Sequence, residues 1–171
     1  MLKLILGLLG TLVLAVALVT VWGSRLPREH VASRVLHLAQ PRDSVWSVLT
    51  DYAGQASWRT DISAVRRQEG ASPEVWVETG SNGEMPLATT VSEPPSRLIR
   101  TIADSTLPFG GSWTYELAVE NGGTRLTITE AGEVYHPIFR FVSHYFMSPA
   151  GTIEVVMKAL AARFGEPPRI E

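Results

Sequence analysis

The distribution of apolar and polar positions divides the chain into three parts. An uncharged apolar run spans positions 4–22, and a long region of short alternating segments follows it. From 137 to 164, apolar residues return at a spacing of three or four. Apolar residues at helical spacing predict helices, and strict alternation predicts strands. The pattern therefore predicts a leading helix, a sheet and a closing helix.

The first apolar run predicts a membrane anchor. A helix over 4–22 is about 28 Å long, close to the hydrocarbon thickness of a bilayer. Lys3 precedes it, Arg25 and Arg28 follow it, and Trp22 occupies an interfacial position. A cleaved signal peptide is the alternative, but the run is long for one and no Ala-x-Ala site follows. The basic residues leave open which side of the membrane the rest of the chain faces.

The middle region predicts seven strands, at 30–39, 62–68, 74–79, 87–93, 97–103, 111–120 and 124–133. Asn121 and the two glycines after it predict a hairpin turn, and a further turn is expected at 81–83. Between the first two strands, Pro41 and a helical spacing up to Tyr52 predict a short helix. Strands followed by a long helix are typical of an α+β fold, in which the helix covers one face of an antiparallel sheet.

The closing segment predicts one long helix with a break at Ser148 and Pro149. We expect Ser148 to cap the second half, with Pro149 as its first helical residue. Gly165 is placed to end the helix, and residues 167–171 are expected to form a tail.

Composition excludes several classes of function. The 15 basic and 17 acidic residues balance, at a pI of about 6.1, whereas nucleic-acid binders carry basic faces. The absence of cysteine excludes disulfides, thiolate catalysis and cysteine-based metal sites. His136 and His144 stand eight residues apart, which does not match a helical zinc motif. We expect no metal, no cofactor and no nucleic-acid partner, and we expect a monomer.

The segment QPRDSVWSVLTDYAGQASW at 40–58 resembles the START-like, or SRPBCC, superfamily, the polyketide cyclase and lipid-transfer group. The residues that carry the resemblance are Pro41, Trp46, Asp51, Tyr52 and Trp58. The segments LPFGGSWTYEL and GEVYHPIFRF are similar to a membrane-anchored bacterial subset, which implies an inner-membrane location. The resemblance implies a helix-grip fold, a seven-stranded antiparallel sheet wrapped on a long C-terminal helix. We therefore expect an anchor at 1–23, a linker at 24–29, the START-like domain at 30–166 and the tail.

The same resemblance implies a pocket for apolar ligands between the sheet and the closing helix. Aromatic, aliphatic and sulfur-containing side chains are the expected ligand contacts: Trp58, Phe109, Trp113, Tyr115, Leu117, Ile128, Phe139, Tyr145, Met157 and Leu160. For each of them, ordinary core packing is the alternative.

No catalytic set is evident. Tyr115, Glu130 and His136 are weak candidates for acid–base chemistry. Glu130 is expected at the sheet rim in water. Glu78 is expected on the solvated face of its strand, with Val75 and Val77 pointing inward.

The sequence thus predicts a membrane-tethered protein that binds a hydrophobic small molecule or lipid. One alternative is an enzyme similar to polyketide cyclases and dehydratases that uses the same pocket. Another is an accessory protein whose pocket is filled by its own side chains.

Overall fold

The computed structural model describes residues 1–81 and 83–171. Its helices are α1 (Leu2–Arg25), α2 (Arg42–Thr50), α3 (Pro137–Phe146) and α4 (Gly151–Arg163), with a 3-10 turn at Gln55–Ser57. Its strands are β1 (Glu29–Leu38), β2 (Ile62–Gln68), β3 (Val75–Gly80), β4 (Gly83–Glu93), β5 (Arg97–Ile102), β6 (Phe109–Glu120), β7 (Gly123–Val134) and β8 (Arg169–Ile170). The α+β class is confirmed.

The strands form one antiparallel sheet in the order β2-β3-β4-β5-β6-β7-β1-β8. Strands β2 to β7 are successive neighbours, and β1 returns beside β7. The described residues give eight strands, because the predicted tail contains β8, which pairs with β1 at Leu36 and His37. A strand of two residues is too short for an alternating pattern to predict it. The predicted turn at 81–83 includes Asn82, which lies outside the described residues.

Helix α4 packs on one face of the sheet and forms the core with it. Ile153, Met157 and Leu160 recur at a spacing of three or four and are fully buried. They belong to the same cluster as Leu36 and Leu126 on β1 and β7. The sheet therefore wraps a closing helix, as predicted.

The closing segment forms two helices. Helix α4 begins at Gly151 with Ala150 at its N-cap, so the predicted roles of Ser148 and Pro149 at the helix start are wrong. The backbone N–H of Gly151 donates to the carbonyl oxygen of Ser148 at 3.1 Å, and this turn delays the helix by two residues.

Helix α1 projects from the sheet and packs only at its end, against α3. The indole N–H of Trp22 donates to the hydroxyl of Tyr145 at 3.0 Å. Gly23 is buried against the backbone of Pro137. The guanidinium of Arg140 donates to the carbonyl oxygen of Leu26 at 3.2 Å. By length and composition α1 can cross a membrane, a property that a signal sequence shares.

Candidate functional site

A cavity of about 80 Å³ lies between the sheet and helix α4. Most of its wall is apolar: Leu49, Trp58, Met85, Leu87, Leu98, Trp113, Ile128, Ile153 and Val156. The remaining lining side chains are polar or charged: Gln55, Arg59, Asp61, Glu78, Arg100, Tyr115 and Thr152. A largely apolar wall with a few polar groups is typical of small-molecule sites.

The register of the sheet brings the polar groups to one face. Glu78 on β3 lies opposite Met85 on β4, and Tyr115 on β6 lies opposite Ile128 on β7. Directly paired residues of antiparallel strands share a face of the sheet. A carboxylate and a phenol are therefore held on the concave side, and Arg100 on β5 joins them opposite Trp113.

Arg59 is the centre of a buried ionic network. Its guanidinium donates to Glu78 at 2.8 Å, to Gln55 at 2.9 Å and to both carboxylate oxygens of Asp61. Burial opposes the charge of Arg59, but the hydrogen bonds with Asp61 and the negative charge of Glu78 outweigh it and raise the pKa of Arg59. The charge of this arginine is satisfied within the protein.

Glu78 itself is only 3% exposed, so its predicted solvated position is wrong. Val75 and Val77 are buried as well. Because both faces of β3 are covered, alternation along this strand does not reveal which face meets water.

Arg100 is buried at 3% exposure without a comparable network. Its guanidinium donates to the carbonyl oxygen of Leu87 at 3.2 Å. The guanidinium carbon lies 4.0 Å from the ring centre of Tyr52, and the Nε–H has no acceptor among the described residues. The cavity wall therefore contains an incompletely satisfied cation.

The hydroxyl of Tyr115 forms no hydrogen bond with any residue that the structure describes. Burial raises the pKa of Tyr115 to about 12, although the positive charge of Arg59 acts in the opposite direction. The phenol therefore remains protonated at neutral pH and can donate a hydrogen bond to a bound molecule.

Glu130 lies behind the cavity wall and is 8% exposed, so its predicted rim position in water is wrong. The indole N–H of Trp113 donates to it at 2.9 Å, and the hydroxyl of Thr152 donates to the same oxygen. The ring of His30 lies 3.3 Å from its other oxygen. Glu130 thus holds Trp113 and Thr152, two residues of the wall, in position.

Four of the predicted ligand contacts line the cavity: Trp58, Trp113, Tyr115 and Ile128. Leu117, Met157 and Leu160 lie outside it, as fully packed core residues. Phe109 also lies outside, at the first position of β6 opposite Val134.

Helix α3 lies away from the cavity. Its Phe139 is 53% exposed, and Tyr145 is half exposed and bonded to α1, so neither lines the cavity as expected. His136 is exposed at the N-cap of α3 and packs edge-on against Phe139. The spacing of apolar residues in α3 arises from a surface helix that contacts α1.

Arg59, Glu78 and Arg100 are among the site residues that the sequence pattern missed, and they bring charge to the cavity wall. For Arg100, a signal was present: it lies between Leu98 and Ile102 on one face of β5, and a cation in an apolar row is informative. Within residues 1–81 and 83–171, no group of three or more His, Asp or Glu side chains could hold a metal ion.

Residues 29–165 match the model of the family described as polyketide cyclase/dehydrase and lipid transport. The chain belongs to this family. The resemblance inferred from residues 40–58 is thereby confirmed. No protein of curated function matches the chain significantly in sequence.

Several solved structures have a similar fold. A START superfamily protein from Mycobacterium smegmatis covers 78% of this chain and 96% of its own at 16% identity, with a TM-score of 0.60. The alignment with a conserved protein from Geobacillus kaustophilus covers 83% of this chain and 99% of that protein at 14% identity, with a TM-score of 0.66. The alignment with norcoclaurine synthase from Thalictrum flavum covers 85% of this chain and 91% of that protein at 10% identity, with a TM-score of 0.63. At these identities the likeness establishes the START-like fold alone.

Proposed function

We propose that this protein is a membrane-tethered binding protein that holds a small hydrophobic molecule, or one end of a lipid, in the cavity beneath α4. The observation that carries the proposal is the cavity, which combines an apolar wall with a few polar side chains. The membership of the chain in the polyketide cyclase/dehydrase and lipid transport family supports it. Burial of apolar surface at about 25 cal/mol per Å² would supply most of the affinity.

The size of the cavity limits the occupant. Drug-sized ligands occupy pockets of roughly 300–1,000 Å³. A cavity of about 80 Å³ accommodates a short chain, whereas a ring, which needs a cavity of about 150 Å³, enters only if the wall moves slightly. A whole lipid would require the sheet and α4 to separate further, so the proposed occupant is a compact molecule or one end of a longer one.

The contacts of α1 support a retained tether. Cleavage after a signal sequence near Ser24 would remove Trp22 and Gly23, which contact Tyr145 and Pro137 in α3. A segment that is destined for removal has no need of side-chain contacts with the mature protein. The membrane tether is therefore part of the proposal.

The exposed apolar residues of α3 support the same placement. Phe139, Val142 and Phe146 of α3, together with Met147 directly after it, are exposed beside the end of α1. Apolar side chains next to a membrane-spanning helix are stabilised by the lipid interface. We place α3 at the membrane surface, with the sheet outside the bilayer.

The enzyme alternative has one observation in its favour, the protonated hydroxyl of Tyr115 at the cavity wall. A general base is harder to assign, because Glu78 is paired with Arg59 and Glu130 lies behind Trp113. A binding protein returns its ligand unchanged after incubation, whereas an enzyme converts it.

The test fills the cavity and measures binding of a compact neutral probe. Val156 lines the cavity, whereas Val155, its neighbour in α4, is exposed. We expect Val156→Phe to weaken the binding of indole to the full chain in detergent at least tenfold, as measured by calorimetry. The control Val155→Phe should change the affinity less than twofold.

Native mass spectrometry of the wild type provides a second measurement. A bound small-molecule mass that is absent from Val156→Phe would support the proposal. Equal indole binding by both variants, or no binding by the wild type together with an empty mass, would contradict it.

A further inference from the structure

The two arginines of the cavity differ in how their charge is satisfied. Arg59 has two carboxylate partners, Asp61 and Glu78. For Arg100, no carboxylate among the described residues lies within 4.0 Å, and a single backbone carbonyl accepts one of its five N–H groups. Burial of a charge without a counter-ion is unfavourable, so such a group is satisfied when a ligand brings the opposite charge.

Tyr115 provides a second donor in the same wall. Tyr115 lines the cavity with Arg100, and its hydroxyl forms no hydrogen bond in the described part of the chain. Tyr115 pairs with Leu98 and Trp113 pairs with Arg100, so Tyr115 and Arg100 are diagonal neighbours on the same face of β5 and β6. The cavity therefore combines two unsatisfied donors with an apolar lining.

We propose that the cavity binds the carboxylate of a small amphipathic acid, with Arg100 as the counter-ion and the Tyr115 hydroxyl as a second donor. The proposal rests on the proposed function and names the class of its ligand. The apolar part of the acid packs against Trp58, Trp113 and Ile128. The guanidinium matches a carboxylate, because its planar N–H groups can donate in parallel to both oxygens.

The wall favours a single negative charge. Glu78 lines the same cavity, and although Arg59 neutralises it, it repels a dianion more strongly than a monoanion. The cavity is also small, and a planar carboxylate requires less room than a tetrahedral phosphonate. A monocarboxylate is therefore the expected headgroup.

The first experiment compares two nearly isosteric probes on the full wild-type chain in detergent. Benzoate carries the carboxylate, and benzamide replaces it with a neutral amide. We expect benzoate to bind at least tenfold more tightly than benzamide in calorimetry. We expect benzoate to shift the ¹⁵N–¹H signal of the Arg100 Nε–H, which has no acceptor among the described residues.

Variants then assign the effect to Arg100. We expect Arg100→Gln to weaken benzoate binding at least tenfold and benzamide binding less than twofold, with Arg100→Lys in between. Arg66→Gln is the matched control, because it removes the same charge from an exposed ion pair with Glu84 on the sheet. It should leave both affinities unchanged. The comparison of probes on the wild type remains decisive if Arg100→Gln does not fold.

The outcomes separate this inference from the proposed function. Equal binding of benzoate and benzamide overturns the carboxylate assignment and leaves the binding proposal in place. Tighter binding of phenylphosphonate than of benzoate also overturns the assignment. Failure of indole, benzamide and benzoate to bind contradicts both proposals.

Discussion

Tyr115, Arg59 and Arg100 show how the strands of the sheet concentrate polar chemistry inside an apolar fold. Tyr115 and Arg100 lie on the concave face because of the strand register, and Arg59 reaches this face from the segment before β2. Burial then raises the pKa of Tyr115. Arg59 is neutralised by its neighbours, whereas the Arg100 Nε–H and the Tyr115 hydroxyl have no acceptor among the described residues. We therefore expect these two residues to determine the specificity of the proposed site, while Trp58 and Trp113 supply apolar contact.

The phenol of Tyr115, which is partly buried at the cavity wall, should make stability depend on alkaline pH. Its pKa is about 12 in the folded chain, against 10.0 for a tyrosine side chain in water, because burial disfavours the phenolate. Above pH 10 the unfolded state loses a proton that the folded state keeps. The contribution of Tyr115 to the free energy of unfolding is thus complete below pH 10. It is lost as the pH rises towards 12, and the loss is at most about 3 kcal/mol.

The measurement is urea unfolding of the wild type and of Tyr115→Phe at several pH values from 9 to 12. The free energy of unfolding of the wild type should fall more steeply than that of the variant. Tyr145→Phe is the control, because it removes a half-exposed tyrosine outside the cavity. Parallel curves for the wild type and Tyr115→Phe would show that the phenol is not buried as described.

The sequence predicted residues of this site best where they were aromatic. Trp58, Trp113 and Tyr115 could be placed because large side chains on a regular strand or next to a short helix usually face the interior. Glu78 and Arg100 were missed or misplaced because a charged residue in a strand is normally solvated. Glu78 is buried with Arg59 from the segment before β2, and Arg100 is buried with Tyr52 from the segment after α2. No local pattern along β3 or β5 reveals these partners.

At the level of elements, the two closing helices share a spacing of apolar residues and differ in what covers them. Helix α4 buries Ile153, Met157 and Leu160 against the sheet. None of the ten residues of α3, all of which the structure describes, is buried. Periodicity predicted both helices but could not predict that α3 contacts α1, because the contact joins residues such as Trp22 and Tyr145, which lie far apart in the sequence.

The contact between α1 and α3 depends on one glycine. A Cβ on Gly23 would overlap the carbonyl oxygen of Pro137, whereas one on Gly10 meets no described atom within 4 Å. Gly23→Ala should therefore separate α1 from α3 and lower the free energy of unfolding by about 1–3 kcal/mol, a range typical of overpacking. Gly10→Ala makes the same chemical change in the same helix and is the control.

Hydrogen exchange of the full chain in detergent provides the measurement for this pair. In Gly23→Ala, the amides of α3 should exchange at least fivefold faster than in the wild type, because α1 no longer supports them. Gly10→Ala should match the wild type. Unchanged exchange in Gly23→Ala would mean that α3 is stabilised without α1.

At the level of the whole molecule, the fold and the chemistry have different origins. Relatives at 10–16% identity share the sheet and the closing helix, since a pattern of apolar positions suffices for them. The cavity of this chain depends on particular residues such as Arg100, which the shared fold does not determine. The proposed function therefore rests on the cavity and on the proposed placement of α1 and α3.

The last prediction concerns how the molecule lies on a bilayer. If α1 spans the membrane, Phe146 on α3 should reach the lipid interface, because it is 76% exposed on a helix held against the end of α1. Val119 is similarly exposed but lies far from α3. Phe109, at the start of β6, pairs with Val134 at the end of β7, where the chain leads into α3, whereas Val119 is near the other end of β6. The chain contains no cysteine, so Phe146→Cys and Val119→Cys each introduce a unique labelling site.

Each variant, labelled with a bimane fluorophore and reconstituted into nanodiscs, is compared with and without brominated lipids. Bromine quenches only fluorophores at the membrane, so we expect strong quenching at position 146 and little at position 119. The intact mass of each sample establishes that residues 1–23 are present. Equal quenching at the two positions would contradict the placement of α3, and a mass that begins near Ser24 would contradict the tether. Quenching at 146 alone places α3 at the lipid interface and the far end of the sheet in water, because the rigid strand β6 separates the sheet's two ends by about 3.3 Å per residue.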